Sequence, residues 1–285
     1  MHRRSRLLGT ALMACVPAFG MLLAFGPTAG ASTASVARTA PSAREIAAAR
    51  TFIEHLAIGQ HGTDHAVAGQ ASRIEGLTKV KSTNWSGYAD TGSGFTSIKA
   101  KWIEPSASCG SATSLAAFWV GIDGFSSASV EQDGTLIECD GGTAFYFSWW
   151  EMYPTNDIQV VGETVEPGDS ITASVVRSGT SYKLALTDST NKANSFSTTQ
   201  SCTDCANSSA EVIAEAPCCV SGSTPYPLSD FGTFKATGAK VDSGTISSFT
   251  DDEITMVNGT SGKVEAKPGA LNSSGNSFKV TWKSA

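Results

Sequence analysis

Between Phe118 and Pro154 the sequence gathers Asp123, Glu131, Gln132, Asp133, Glu138, Asp140 and Glu151 among three tryptophans, and it contains no histidine. All four histidines of the chain, His2, His55, His61 and His65, precede Lys79. A domain without imidazole cannot run Ser-His-Asp or Cys-His nucleophilic catalysis, and it has no histidine metal site. Carboxylate is the acid-base group that remains. A carboxyl with an ordinary pKa of about 4.3 works best near that pH, or higher where burial raises it. Two hydrolyses fit such a set. Glycosidic cleavage needs two carboxyls roughly 5 to 9.5 Å apart. Peptide cleavage needs one carboxyl to activate water and a donor for the tetrahedral oxyanion, which a glutamine amide can supply. No P-loop or EF-hand pattern is present, so no cofactor and no metal is expected.

These residues have to be positioned by strands. FTSIKAKWIE, FYFSWWEMYP, SITASVVRSG, SYKLALTDS and SFKVTWK alternate apolar with polar side chains, and turn clusters such as GDS, SGT and NSSGNS separate them. VEPGDSITASVV and GTSYKLALTD read as a hairpin turning at Ser178 to Thr180. The roughly 200 residues from about Ser82 onwards suit one all-β domain, an antiparallel two-sheet β-sandwich or jelly roll.

Ahead of this domain the composition changes. Arg3, Arg4 and Arg6 precede the apolar run LLGTALMACVPAFGMLLAF and a small-residue site ending at Ala31, the pattern of a secretory signal over residues 1–31 rather than of a membrane anchor. Residues 32–78 are Ala-rich with helix formers in REIAAARTFIEHLAIG, and read as a short helical pro-region before a domain at 79–285. Seven arginines and four carboxylates precede Lys79, which leaves 13 cations against 22 carboxylates from there on, a formal −9. Such a domain offers no basic patch to nucleic acid and gains less positive charge as pH falls. Export makes disulfides the default for Cys109, Cys139, Cys202, Cys205, Cys218 and Cys219. Cys109 with Cys139 is one expected bond, and the other four are expected to clamp the loop from Cys202 to Cys219. A four-thiolate zinc site is the weaker alternative for that group.

The order STNWSGYAD, KWIEP, FWVGIDG, VEQDGT, FYFSWWEMYP, VEPGD and AEVIAEAP resembles the glutamic peptidases, or eqolisins, over about Asn84 to Trp282. The resemblance implies a concanavalin A-like β-sandwich and a secreted acid endopeptidase acting on protein or peptide substrates. It carries the catalytic pair onto Gln132 and Glu215, with the Glu activating water and the Gln stabilising the oxyanion. Trp85, Trp119, Asp123, Trp149, Glu151 and Tyr153 fall where the family lines and supports its cleft. Glu211 points to the same strand face as Glu215; Glu215 is preferred because Ala216 and Pro217 follow it as the family's turn would. Two departures, Val212 in place of a frequent Trp and Ala216 in place of a frequent Asp, leave the pair intact. A monomer is expected. The rival readings are a sandwich glycoside hydrolase pairing Glu151 with Glu138 or Glu215, and a non-catalytic carbohydrate-binding domain.

Overall fold

Strand-type alternation is realised over nearly the whole of the expected domain. The computed structural model describes residues 40–56, 58, 72–74, 77–218 and 224–285. The expected signal segment and Cys219 lie outside the described residues. One helix, α1 (Ala43–Ile53), leads into β1 (Ser72–Ile74), β2 (Leu77–Ser82), β3 (Trp85–Thr91), β4 (Ser97–Ile103), β5 (Ser114–Asp123) and β6 (Val130–Asp140). These are followed by β7 (Thr143–Tyr153), β8 (Asn156–Gly162), β9 (Ser170–Ser178), β10 (Ser181–Asp188) and β11 (Phe196–Ser201). The chain ends with β12 (Ser209–Glu215), β13 (Thr233–Val241), β14 (Thr250–Val257), β15 (Val264–Pro268) and β16 (Phe278–Trp282).

Hydrogen-bonded neighbours run in one path, β11-β10-β9-β4-β13-β16-β15-β14-β3-β12-β5-β6-β7-β8, which folds into two layers. β13 is the corner. Thr233 to Ala236 pair with β16, and Thr237 to Val241 pair with β4, with a register shift between Thr237 and Lys240. Gly238, at φ 60°, lies in that shift, and a bulge of this kind bends a strand out of its sheet. The expected hairpin forms as β9 and β10, closing at Ser178 opposite Ser181. Among the described strands every pairing is antiparallel except β2 with β14. β2 runs across Lys79, so the compositional boundary falls inside a strand.

The core between the layers follows from alternation. On β5, Ala116, Phe118, Val120 and Ile122 point inward, where Phe118 stacks on Phe234 of β13 at 4.7 Å and meets Phe231 edge-on at 5.2 Å. The opposite face of the same strands forms a second apolar cluster. It contains Trp85, Trp119, Leu136, Phe147, Trp149 and Ile213.

That second face is covered by the amino-terminal segment. Ser42 caps α1, its side chain accepting from the Glu45 backbone while Glu45 reaches back to the Ser42 backbone. Ala49 and Ile53, one turn apart, then face the sheet, and Leu56 and Ile58 continue the contact. Phe52 meets Tyr226 edge-on at 5.5 Å. Arg50 pairs with Glu163 at 2.6 Å and Glu54 at 2.8 Å, tying the helix to the end of β8. Fully burying an isoleucine side chain stabilises by about 1.5–3 kcal/mol. Ile53 and Ile58, both fully buried, therefore anchor the segment more firmly than the solvent-accessible Arg50 pairs do.

Candidate active site

Gln132 is the third residue of β6, opposite Gly121 on β5 and Glu151 on β7. Its Nε2 donates to Glu151 Oε2 at 2.7 Å and to the backbone carbonyl of Ile58 at 3.0 Å. The Ile58 carbonyl, which can only accept, fixes which end of the amide is nitrogen. Gln132 Oε1 is buried and has no hydrogen-bond partner among the described residues. Gly121 provides the space beside this amide. A Cβ there would lie 2.8 Å from the Trp119 ring and 3.3 Å from Gln132 Cβ.

Glu215 ends β12, between Trp85 on β3 and Ala117 on β5, and is fully buried. Trp119 Nε1 donates to its Oε2 at 2.8 Å, and Asn84 Nδ2 donates to its Oε1 at 3.2 Å. Asn84 is itself fixed. Its carbonyl accepts from Ala216 N at 2.8 Å, and Ser82 Oγ donates to its side-chain oxygen at 3.1 Å. Trp85 packs edge-on against Trp119 at 4.8 Å, which walls this corner with indole. Asn84 is not among the site residues that the sequence motifs single out; its place directly before Trp85 in STNWSGYAD is the signal that could have found it.

Glu151 is completely buried, and burial pushes its carboxyl well above the usual range. The Gln132 hydrogen bond opposes that shift, and the charge of Glu215 adds to it. Gln132, Glu151 and Glu215 thus belong to one electrostatic neighbourhood. Glu211 does not share it. Its carboxyl is also pushed well above the usual range, first by burial, with Ser209 opposing and the charges of Asp123 and Glu131 adding.

The remaining candidates separate. Trp149 is buried opposite Gly134 on the same face. Tyr153 ends β7 opposite Val130, half-buried, two residues beyond Glu151. Asp123 holds a loop. At φ 69°, its carboxylate accepts from Asn207 N at 2.7 Å, Ser208 N at 2.8 Å and Ser208 Oγ at 3.0 Å. Glu138 lies six residues along β6 from Gln132, roughly 20 Å at the strand rise, too far to pair with Glu151 in the manner of a glycosidase. Asp90-Thr91-Gly92 and Asp242-Ser243-Gly244 spell aspartic-peptidase triplets but do not meet. Asp90 interacts with Asp251, whereas Asp242 Oδ1 accepts from Thr96 N and Ser97 N.

Cys109 is bonded to Cys139, and Cys202 to Cys205. The second bond closes four residues, a tighter loop than a clamp reaching Cys219. Glu131 lies beside those two sulfurs, but they are joined to each other and offer no thiolate to a metal. A cavity of about 640 Å³ opens between Trp102, Glu104 and Phe231 and contains none of the residues around Gln132.

Residues 83–282 match the Peptidase A4 family. The chain belongs to that family, the eqolisins. Aspergillopepsin-2 of Aspergillus niger is 28% identical over 196 residues, 60% of this chain and 69% of the relative. Scytalidopepsin B of Scytalidium lignicola is 32% identical over 157 residues, 53% of this chain and 59% of the relative. The crystal structure of scytalido-glutamic peptidase with a transition state analog inhibitor superposes with a TM-score of 0.60 at 25% identity, covering 70% of this chain and 98% of that one. This eqolisin is accordingly a glutamic-type endopeptidase, a hydrolase of proteins or peptides. No helix among the described residues is long and apolar enough to cross a membrane.

Proposed function

We propose that Gln132 and Glu215 are the catalytic pair of a secreted acid endopeptidase, and that residues 32–78 are its pro-region behind an export signal at 1–31. The observation that carries the reading is the hydrogen bond from Gln132 Nε2 to a peptide carbonyl, that of Ile58, in a buried pocket next to Glu215 and Glu151. A substrate carbonyl presented to the same amide would be polarised in the ground state and stabilised further as its oxygen becomes an oxyanion.

The steps follow from the donors and acceptors present. Glu215, held by Trp119 and Asn84, takes a proton from water as the water oxygen bonds to the scissile carbonyl carbon. Gln132 Oε1, the buried acceptor, is suited to orient that water, while Nε2 donates to the oxyanion. The Glu215 carboxylic acid then gives its proton to the amide nitrogen, the C–N bond breaks and the carboxylate returns. Glu151 acts as a positioning residue by holding the Gln132 amide in the donating orientation. Removing a single oxyanion donor of this kind typically costs 10²- to 10³-fold in kcat.

Casein digestion and reducing-sugar release, assayed from pH 2.5 to 7 with wild type and Glu215→Gln, test the reading. Acid proteolysis that vanishes in Glu215→Gln, with no sugar release from polysaccharides, is expected. Proteolysis retained by Glu215→Gln would overturn the assignment.

A further inference from the structure

The amino-terminal segment enters the site in a particular way. Ile58 places its carbonyl 3.0 Å from Gln132 Nε2, the atom assigned to the scissile carbonyl, and buries its side chain completely in the cluster of Trp85, Trp119 and Trp149. Leu56, two residues earlier, is buried in the same cluster. An inhibitory segment that only blocked the cleft could do so through side chains alone. Here a peptide carbonyl occupies the oxyanion donor, with an aliphatic side chain directly attached to it.

We infer that Ile58 is the first residue this peptidase cuts after, and that the pocket holding its side chain selects a large apolar residue on the acyl side of the scissile bond. The inference rests on the proposed roles of Gln132 and Glu215. In this step a water oxygen bonds to the Ile58 carbonyl carbon, and one water proton passes through Glu215 to the departing amine. The bond to the following nitrogen breaks, leaving a carboxyl on Ile58 and a new amino terminus at residue 59. One water is consumed, and no other reactant is required. Cleavage there detaches α1, whose Ala49 and Ile53 cover the sheet face, from the domain that bears the site.

The chemistry of the pocket sets the specificity. An aspartate or lysine side chain placed among indoles and aliphatics would be buried without a partner, a penalty large enough to exclude it. A leucine or phenylalanine would retain the contact. Discrimination by a pocket of this type is on the order of 10- to 200-fold per lost apolar fit.

Two measurements test this. In the first, the full chain is purified at neutral pH, shifted to pH 3.5 and followed by intact mass and amino-terminal sequencing, beside Glu215→Gln, Ile58→Leu and Ile58→Asp. The first new terminus is expected at residue 59, at similar rates in wild type and Ile58→Leu, at least ten-fold slower in Ile58→Asp, and not at all in Glu215→Gln. In the second, matured wild-type enzyme is given peptides that differ only at the acyl-side residue, carrying Ile, Phe, Asp or Lys. kcat/KM is expected to be at least ten-fold higher for Ile and Phe, whatever the Ile58 variants do to folding. A first cut elsewhere with the Ile58 carbonyl intact, or equal rates on the four peptides, would overturn the inference while leaving the catalytic pair standing. Loss of casein digestion by wild type would instead remove the reading beneath it.

Discussion

Glu104 offers a quantitative test of how this fold is matched to acid. The residue follows β4 and is completely buried, with Oε2 accepting from Thr135 Oγ1 at 2.7 Å and from Trp102 Nε1 at 3.1 Å. Burial pushes its carboxyl from an ordinary 4.5 up to about 8, against those two hydrogen bonds, with the charges of Asp169 and Asp188 adding. The folded carboxyl therefore stays protonated while the unfolded one ionises. Its contribution is fully present below about pH 4.5 and is lost as pH rises toward 8. Each unit in that window costs about 1.4 kcal/mol, so between pH 4.5 and 7 this one group removes about 3 kcal/mol. Glu104→Gln keeps the shape and the acceptor for both donors but cannot ionise. Urea unfolding of Glu104→Gln and its parent, both in a Glu215→Gln background to prevent self-digestion, should give curves that separate with pH. The gap in unfolding free energy should grow by about 3 kcal/mol from pH 4.5 to 7, or ~6–12 °C in Tm. Parallel pH dependence in the two proteins would show that Glu104 does not hold its proton in the fold, and would refute the reasoning.

Three further perturbations follow from the geometry. Asn84→Ala removes a donor that fixes Glu215, and should lower kcat at least ten-fold with little change in KM, read from initial rates on one peptide. Gly121→Ala places a Cβ 2.8 Å from the Trp119 ring, so kcat/KM should fall and urea unfolding should show a loss of about 1–3 kcal/mol from overpacking. Arg50→Ala breaks the pairs with Glu163 and Glu54, and loss of α1 after an acid shift, followed by intact mass, should be faster than in wild type.

Much of this arrangement was legible in the sequence, and what was not has identifiable causes. Alternation of period two placed Gln132 with Leu136 and Glu215 with Ile213 on one face, because side-chain direction is local. The pairing of Gln132 with Glu151 depends on register between β6 and β7, which no residue type announces. Asp123 was grouped with the cleft by its motif, yet its carboxylate caps backbone amides at residues 207 and 208, partners 84 and 85 positions away. Asn84 was hidden because its side chain serves Glu215 across strands, 131 positions apart in the chain. The boundary at Lys79 was drawn from composition, and composition does not register that β2 pairs with β14. Least visible was Ile58, since the atom that matters is a backbone carbonyl common to every residue. The absence of histidine was the most informative single feature, because it left carboxylate as the acid-base group and made a glutamine worth considering.

The central claim is that Gln132 and Glu215 act together on one peptide bond. Its most direct test is kcat/KM at pH 3.5 on a single peptide for matured wild type, Gln132→Ala, Glu215→Gln and the double variant, with folding checked by circular dichroism. Groups that work as a unit are non-additive, so each single variant should lose on the order of 10²-fold or more and the double variant little beyond the worse single. Activity within ten-fold of wild type in either folded single variant would contradict the account.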